Sequence, residues 1–207
     1  MKVKPTVGLV DYGSGNLRSV SKALEAVGAQ VHRLEQGPIA AGLDALVLPG
    51  VGAFGDSVRQ LQKRQLFAPI REWLEQEKRF LGICLGYQLL FETSEESPDI
   101  SGLGLFKGKV RRFNEESVKV PQIGWNSVVW TDSARDLYPG LPEKPFFYFV
   151  HSYYPIPEDS KLVVGYAEYE THFAAAIGTS SLLATQFHPE KSQETGLTLL
   201  RQFLATL

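Results

Sequence analysis

The stretch FLGICLGYQ, residues 80–88, decides how the rest of the chain is interpreted. An apolar run leads into Cys84, a segment of helical composition (86–93) follows it, and Gly82 and Gly86 flank it at a distance of two residues. A tight strand-to-helix turn with small neighbours holds a nucleophile in a strained and exposed position. We therefore predict a nucleophilic Cys84 at the start of a helix, whose dipole favours the thiolate form.

The alternative for Cys84 is a buried packing residue, which is the usual state of a free cysteine. The neighbouring glycines argue against this alternative, since a core strand gains nothing from residues without a side chain. The pattern of glycine, any residue, cysteine, any residue, glycine is only moderately specific, so the choice depends on finding a base elsewhere in the chain.

Composition excludes several classes of protein. The chain has 207 residues and a net charge of −2, and its basic residues form no long runs, which argues against nucleic-acid binding. No stretch approaches the roughly 20 apolar residues of a membrane helix, and the N-terminal MKVKPTVGLVDYG lacks the character of a signal peptide. A single cysteine cannot form an internal disulfide, so we expect a cytoplasmic protein.

The order of the predicted elements indicates an α/β fold. In the first half, strand-like runs at 6–10, 31–34, 45–48 and 80–84 alternate with helix-like segments at 14–28, 56–78 and 86–93, the second with a candidate break at Pro69. Such alternation predicts a flavodoxin-like, mostly parallel sheet covered by helices on both faces. The loops 11–16, 49–55 and 84–88 follow strands, where ligands bind in such sheets.

The second half is predicted to extend this sheet with antiparallel strands. Strand-like segments punctuated by glycine and proline continue until a final helix at 193–207, and they lie at 107–113, 124–130, 146–154, 161–168, 174–178 and 182–186. No linker, repeat or low-complexity tract interrupts the chain, so we expect residues 1–207 to form a single domain.

A cysteine nucleophile needs a base, and the base needs an orienting partner. Among the four histidines, His188 ends a strand-like run and is followed by Pro189 and Glu190. Proline holds the preceding residue extended, and residues two apart in extended chain point the same way. Glu190 can therefore orient the His188 ring. Alone, this tripeptide would suggest a surface turn, whereas its combination with Cys84 predicts a catalytic triad.

These residues resemble a known family. GICLGYQ (82–88) and HPE (188–190) look like the two signatures of the class I, or triad, glutamine amidotransferases. Further segments are similar to the glutaminase subunits of imidazole glycerol phosphate synthases, from about residue 6 to the C-terminus: DYGSGN (11–16), PGVGAFG (49–55), PQIGWN (121–126), FVHSYY (149–154) and QFHPEKS (186–192). Other amidotransferases share the triad, so the 49–55 and 121–126 segments decide for this group.

The resemblance implies a mechanism and a set of site residues. Cys84 attacks the carboxamide of glutamine, His188 oriented by Glu190 transfers protons, and water hydrolyses the thioester. The oxyanion donors would be the Leu85 amide and the Val51–Gly52 segment, where glycine allows close approach of the backbone. For glutamine binding, the resemblance also implies Gly52, Gln88, Glu96, Ser152 and Tyr153, with Glu92 and Glu95 open as substitutes for Glu96.

The resemblance also implies a partner. Ammonia would pass through a channel to a (β/α)8-barrel cyclase subunit in a heterodimer, and Asn16, Tyr148 and Lys191 resemble residues near that interface. Ordinary solvent exposure is the alternative for these three. Neither a cofactor nor a metal is implied. The glycine-rich 49–55 loop suggests that the isolated subunit is nearly inactive until the liganded cyclase reorients this backbone.

Two rival functions fit parts of the sequence. Residues 50–55 match GxGxxG, the dinucleotide-binding pattern of dehydrogenases, but they follow about the third strand instead of the first. The loop after the first strand carries Arg18 where the third glycine is needed. A non-catalytic flavodoxin-like module, or a redox-sensing relative, is the second rival. In that redox branch a histidine follows the cysteine, whereas Leu85 stands here.

Overall fold

The computed structural model describes residues 4–141 and 143–207. Its strands, in chain order, are β1 Thr6–Val10, β2 Gln30–Leu34, β3 Ala45–Gly50, β4 Phe80–Cys84, β5 Phe91–Ser94, β6 Phe106–Arg112, β7 Gln122–Ser127, β8 Val129–Trp130, β9 Phe146–His151, β10 Tyr153–Pro157, β11 Val163–Glu168, β12 His172–Gly178 and β13 Leu182–Thr185. The helices are α1 Leu17–Ala26, α2 Phe54–Lys63, α3 Phe67–Glu75, α4 Leu85–Gln88, α5 Asp132–Leu137 and α6 Gln193–Ala205, with 3₁₀ turns at Ser160–Leu162 and Pro189–Lys191.

An eight-stranded sheet forms the centre, in the order β2-β1-β3-β4-β13-β12-β11-β8. The five strands from β2 to β13 are parallel, and β12, β11 and β8 continue the sheet antiparallel on one side. The predicted α/β fold, with its mostly parallel sheet and added antiparallel strands, is confirmed.

Alternate strand residues point to opposite faces of this sheet, so apolar side chains project from both faces. Helices cover both faces and bury these side chains. Val47 on β3 packs in the layer formed with α1 and α6, whereas Leu46 and Leu48 pack in the layer formed with α2 and α3. The inner parallel strands β1, β3, β4 and β13 are buried on both faces, which explains their continuous apolar sequences, whereas the edge strand β2 is mostly exposed.

Two smaller sheets lie outside the central one. The β6 strand pairs antiparallel with β10 and parallel with β5, and β7 pairs antiparallel with β9. The sequence predicted strands at most of these positions, but not that they leave the central sheet.

The register of the central strands decides where a site can form. Gly50 at the end of β3 pairs with Cys84 at the end of β4, and Ile83 pairs with Thr185 at the end of β13. The segments that follow these three strands therefore meet at one edge of the sheet. They carry Val51, Leu85 and His188.

The predicted helix at 86–93 is wrong beyond its first turn. The α4 helix ends at Gln88, and the chain enters β5 at Phe91. Leu89, Leu90 and Phe91 are all fully buried, and successive buried residues suit an extended segment enclosed on all sides better than a one-sided helix.

Two other predictions differ in detail. The helix at 56–78 is divided near Gln65, whose φ of +56° ends α2, and Pro69 lies in the first turn of α3, where its missing N–H costs little. The α5 helix was not predicted; Thr131 caps it by accepting a hydrogen bond from the Ala134 amide at 3.3 Å.

Candidate active site

Cys84 occupies the predicted strand-to-helix elbow. Its φ of +54° and ψ of −107° are rare for a residue with a side chain, and such a conformation costs about 1–3 kcal/mol. The glycine at 86 is required sterically, because a Cβ there would lie 1.8 Å from the Leu48 carbonyl oxygen. The backbone therefore matches a nucleophile elbow, but α4 is a single turn and contributes little of the helix dipole that the sequence suggested.

A cavity of about 280 Å³ opens beside Cys84. Every residue predicted to bind glutamine or to form the oxyanion hole lines it: Val51, Gly52, Leu85, Gln88, Glu96, Ser152 and Tyr153. Pro121, Val150 and His151 complete the lining and were not predicted, although each lies in a segment that carried the family resemblance.

His188 and Glu190 form a buried pair next to the sulfur. The His188 Nδ1 atom lies 2.8 Å from Glu190 Oε1, and the two side chains are only 3% and 2% exposed. Burial lowers the pKa of His188, but the Cys84 sulfur and the Glu190 carboxylate outweigh that effect and raise the pKa to about 10. Within residues 4–141 and 143–207, His188 Nε2 has no hydrogen-bond partner. Glu190 therefore orients the ring through Nδ1, and Nε2 remains available for proton transfer.

The other histidines do not have this arrangement. His151 is buried and lines the cavity, but its Nδ1 lies 2.8 Å from the Tyr153 carbonyl oxygen and its Nε2 lies 2.9 Å from the Gln122 amide. Burial is the main cause that lowers the pKa of His151 to about 4, so its ring is neutral and carries a single N–H. The Tyr153 carbonyl oxygen can only accept, so this N–H is on Nδ1, and Gln122 must present the NH₂ group of its side chain to Nε2. His32 and His172 are exposed strand residues. His172 also lies near a carboxylate, Glu168, but both of those side chains are exposed. Among the four histidines, only His188 combines a buried carboxylate partner with an available ring nitrogen beside Cys84.

The structure distinguishes among the three candidate glutamates. Glu96 lines the cavity, and its Oε2 accepts a hydrogen bond from the Phe54 amide at 2.6 Å. Glu95 instead accepts from the Arg112 backbone amide at 3.0 Å, and Glu92 is exposed. Glu96 also occupies the N-terminus of α2, where a dinucleotide phosphate would have to bind. This contact removes the physical basis of the dehydrogenase alternative.

The loop after β3 lies beside the elbow. Gly52 has a φ of +97°, which favours glycine, and the Val51 carbonyl oxygen accepts a hydrogen bond from the Ser14 hydroxyl. Val51 is 41% exposed although it is apolar. The peptide between Val51 and Gly52 is therefore held through Ser14, on the loop that follows β1.

The three predicted interface residues lie on the surface around the His188 segment. The Lys191 Nζ atom is 5.7 Å from the centre of the Tyr148 ring, and Asn16 is the exposed N-cap of α1, which packs against the turn that carries Lys191. Trp125 contacts Tyr148 edge to face at 6.2 Å on the outer face of the β7–β9 sheet. That face also exposes Ile123 and Phe146. It is an apolar surface of the kind that binds another protein.

Comparison with known proteins identifies the family. A family model described as glutamine amidotransferase class-I matches residues 8–207. The chain belongs to the class I glutamine amidotransferases. This amidotransferase is 48% identical to the imidazole glycerol phosphate synthase subunit HisH of Thermosynechococcus vestitus, over 97% of each chain. It is 49% identical to the HisH subunit of Aquifex aeolicus, over 94% of each chain.

These identities confirm the predicted family and the prediction that the protein is an enzyme of the glutamine amidotransferase type. Solved structures show the same fold at lower identity. The structure of PurLQS from Thermotoga maritima matches with a TM-score of 0.78 at 20% identity, over 98% of this chain and 99% of that one. A structure described as a glutamine amidotransferase matches with a TM-score of 0.73 at 20% identity, over 97% of each chain. In the described ranges, no helix is long and apolar enough to cross a membrane.

Proposed function

We propose that this amidotransferase hydrolyses glutamine through a triad of Cys84, His188 and Glu190 and delivers the ammonia to a cyclase subunit of imidazole glycerol phosphate synthase. The observation that carries the proposal is the buried 2.8 Å contact between His188 Nδ1 and Glu190 Oε1, which leaves the other ring nitrogen available next to the strained Cys84. A base held in one orientation beside a nucleophile is what covalent catalysis requires.

The first half of the reaction forms a thioester. The Cys84 thiolate bonds to the carboxamide carbon of glutamine, and the carbonyl π electrons move to the oxygen. The tetrahedral intermediate collapses with cleavage of the C–N bond, and the His188 imidazolium gives its proton to the departing nitrogen, which leaves as ammonia. The charged Glu190 carboxylate stabilises the imidazolium before this transfer.

The second half returns the enzyme to its starting state. Water attacks the thioester carbon while the neutral His188 removes a proton from that water. Cleavage of the C–S bond releases glutamate and restores the thiolate and the imidazolium. Both tetrahedral intermediates carry an oxyanion, which the amides of Leu85 and of the Val51–Gly52 segment would stabilise.

The remaining cavity residues would position the substrate. Glu96 would attract the α-ammonium group of glutamine, and the Ser152–Tyr153 segment would bind its α-carboxylate. Gln88 lines the same wall and is only 4% exposed. These assignments place the carboxamide of glutamine at the Cys84 end of the cavity.

The partner is proposed from the named relatives and from the exposed face of the β7–β9 sheet. The HisH relatives are named as subunits of imidazole glycerol phosphate synthase. Free ammonia is lost to water unless the site is closed by the enzyme that uses it, so a tight complex with a (β/α)8-barrel cyclase would protect it. Rotation of the Val51–Gly52 peptide away from Ser14 would be one way for the partner to switch on glutamine hydrolysis.

The test is glutamine hydrolysis with and without the candidate cyclase and its nucleotide substrate. We expect the wild-type complex to form glutamate and the cyclase product, the isolated subunit to be much slower, and Cys84→Ala to lose hydrolysis while it still binds the cyclase. Retained hydrolysis by Cys84→Ala would falsify the mechanism. Equal rates with and without the cyclase would contradict activation by the partner.

A further inference from the structure

A buried chain of side-chain amides ends on the sulfur of Cys84. The Gln88 Nε2 atom donates to the Tyr153 carbonyl oxygen at 2.9 Å and to Gln186 Oε1 at 3.2 Å. The Gln186 Nε2 atom in turn donates to Cys84 Sγ at 3.7 Å. Gln186 is fully buried. The mechanism above does not use Gln186, although its amide contacts the reacting sulfur.

The direction of this chain is fixed by its first acceptor. A backbone carbonyl can only accept hydrogen bonds, so Gln88 must present its NH₂ group to Tyr153. That same nitrogen can only donate, so Gln186 must present its oxygen to Gln88. The nitrogen of Gln186 is then left to face Cys84, and it too can only donate. The sulfur must therefore accept a hydrogen bond from this side.

A donor at that place favours the ionised sulfur. Hydrogen bonds to a charged acceptor contribute about 1.5–3 kcal/mol, more than those to a neutral one. A sulfur that accepts from Gln186 directs a thiol proton elsewhere, and two groups lie on its other sides: the Val150 carbonyl oxygen, to which the thiol donates at 4.0 Å, and the His188 ring with its available Nε2. Gln186 and His188 are two residues apart just beyond β13, so both side chains can reach Cys84 from the same side.

We propose that Gln186 stabilises the Cys84 thiolate by donating its side-chain N–H to the sulfur. This inference rests on the proposed role of Cys84 as the nucleophile. Gln88 is then the residue that holds Gln186 in the donating orientation, in addition to lining the cavity.

The test measures how fast iodoacetamide alkylates Cys84, the only cysteine of the chain, as a function of pH. The variant is Gln186→Met, which has a similar volume and no N–H donor. We expect the midpoint of its profile to rise by about one pH unit, so that alkylation at a pH well below the midpoint falls about tenfold. Gln122→Met is the matched control, because Gln122 is a buried amide that contacts His151 and should leave the midpoint unchanged.

A second measurement uses the wild-type sequence and does not depend on how a variant folds. The side-chain amide resonance of Gln186 in a ¹⁵N-labelled sample should move as the thiol titrates, and this movement should be absent in Cys84→Ala. An unchanged alkylation midpoint in a folded Gln186→Met, or an amide resonance that ignores the titration of the thiol, overturns the inference. Neither measurement depends on glutamine hydrolysis. A negative result would therefore overturn the role of Gln186 without contradicting the proposed function.

Discussion

The backbone of Tyr148 holds the backbone of His188. The His188 amide donates to the Tyr148 carbonyl oxygen at 2.9 Å, and the Ser192 hydroxyl accepts from the Tyr148 amide at 3.0 Å while it donates to the His188 carbonyl oxygen at 2.6 Å. The side chain of Tyr148 lies on the exposed β7–β9 face. A partner that contacts the Tyr148 side chain on this face would therefore touch the residue whose backbone is hydrogen-bonded to the His188 segment.

Trp125 should be important for binding the cyclase. It is 48% exposed and packs against Tyr148, and truncation of a large aromatic side chain at the centre of an interface often costs more than 1 kcal/mol. We expect Trp125→Ala to weaken the complex with the cyclase about tenfold or more, as measured by isothermal titration calorimetry. Val129→Ala is the control, since Val129 is equally exposed but lies in another sheet. Equal affinities of the two variants would argue against this face.

Glu190 should act through His188. Glu190→Gln keeps the shape but removes the negative charge that raises the pKa of His188, so proton transfer should become inefficient. We expect the kcat of glutamine hydrolysis in the cyclase complex to fall by on the order of 10³. Glu168→Gln removes the carboxylate of an exposed histidine pair, 3.7 Å from His172, and should change nothing. A fall in kcat of less than tenfold in Glu190→Gln would contradict the assignment of Glu190 to the triad.

The backbone of Cys84 should store strain that glycine relieves. Because φ is +54°, a residue without a Cβ adopts this conformation at lower cost. We expect Cys84→Gly to be more stable than Cys84→Ala by about 1 kcal/mol in denaturant unfolding. Both variants lack the thiol, so the comparison isolates the backbone. An alanine variant as stable as the glycine variant would show that the elbow is not strained.

Gly86 should tolerate no side chain. A Cβ at Gly86 would overlap the Leu48 carbonyl oxygen, and this acceptor is backbone that cannot move aside. We expect Gly86→Ala to lose at least about 3 kcal/mol of unfolding free energy. Gly42→Ala is a useful comparison, because Gly42 has a φ of +81° but open space around it, and it should lose only about 1 kcal/mol. Similar losses in the two variants would contradict a steric role for Gly86.

His151 should make the protein sensitive to acid. Its pKa in the folded state is about 4, below its unfolded value, so the unfolded chain binds the proton more readily. The neutral ring contributes fully to the free energy of unfolding above about pH 6.5. This contribution falls by about 3 kcal/mol as the pH falls to about 4. Denaturant unfolding across this range should show a smaller loss in His151→Gln than in the wild type. His32→Gln, at an exposed position, should behave like the wild type.

The sequence predicted those parts of the site that depend on spacing within one segment. Gly82, Cys84 and Gly86 define the elbow, and the two-residue spacing of His188 and Glu190 gives their contact. Gln186 continues the same spacing on the N-terminal side. Alternation along residues 186, 188 and 190 was therefore a signal for Gln186, although the predicted triad ended at the base and its partner.

The parts that were missed depend on contacts between distant segments. The helix predicted at 86–93 fails because β6 and the loop around Leu103 enclose Phe91 and make an extended chain favourable there. His151 could not be separated from His188 by sequence, since one lies within a strand-like run and the other directly follows one. Only the positions of Gln122 and Tyr153 show that both nitrogens of the His151 ring are occupied.

The place of β13 in the sheet has a consequence for how the chain folds. This strand comes from Leu182–Thr185, near the end of the sequence, yet it lies between β4 and β12 in the middle of the sheet. Until it is inserted, β4 and β12 each present an unpaired, apolar edge, which is the kind of surface on which chains aggregate. A growing polypeptide therefore cannot complete its sheet before Leu182–Thr185 has been synthesised. Folding on the ribosome should leave this edge exposed until that segment emerges.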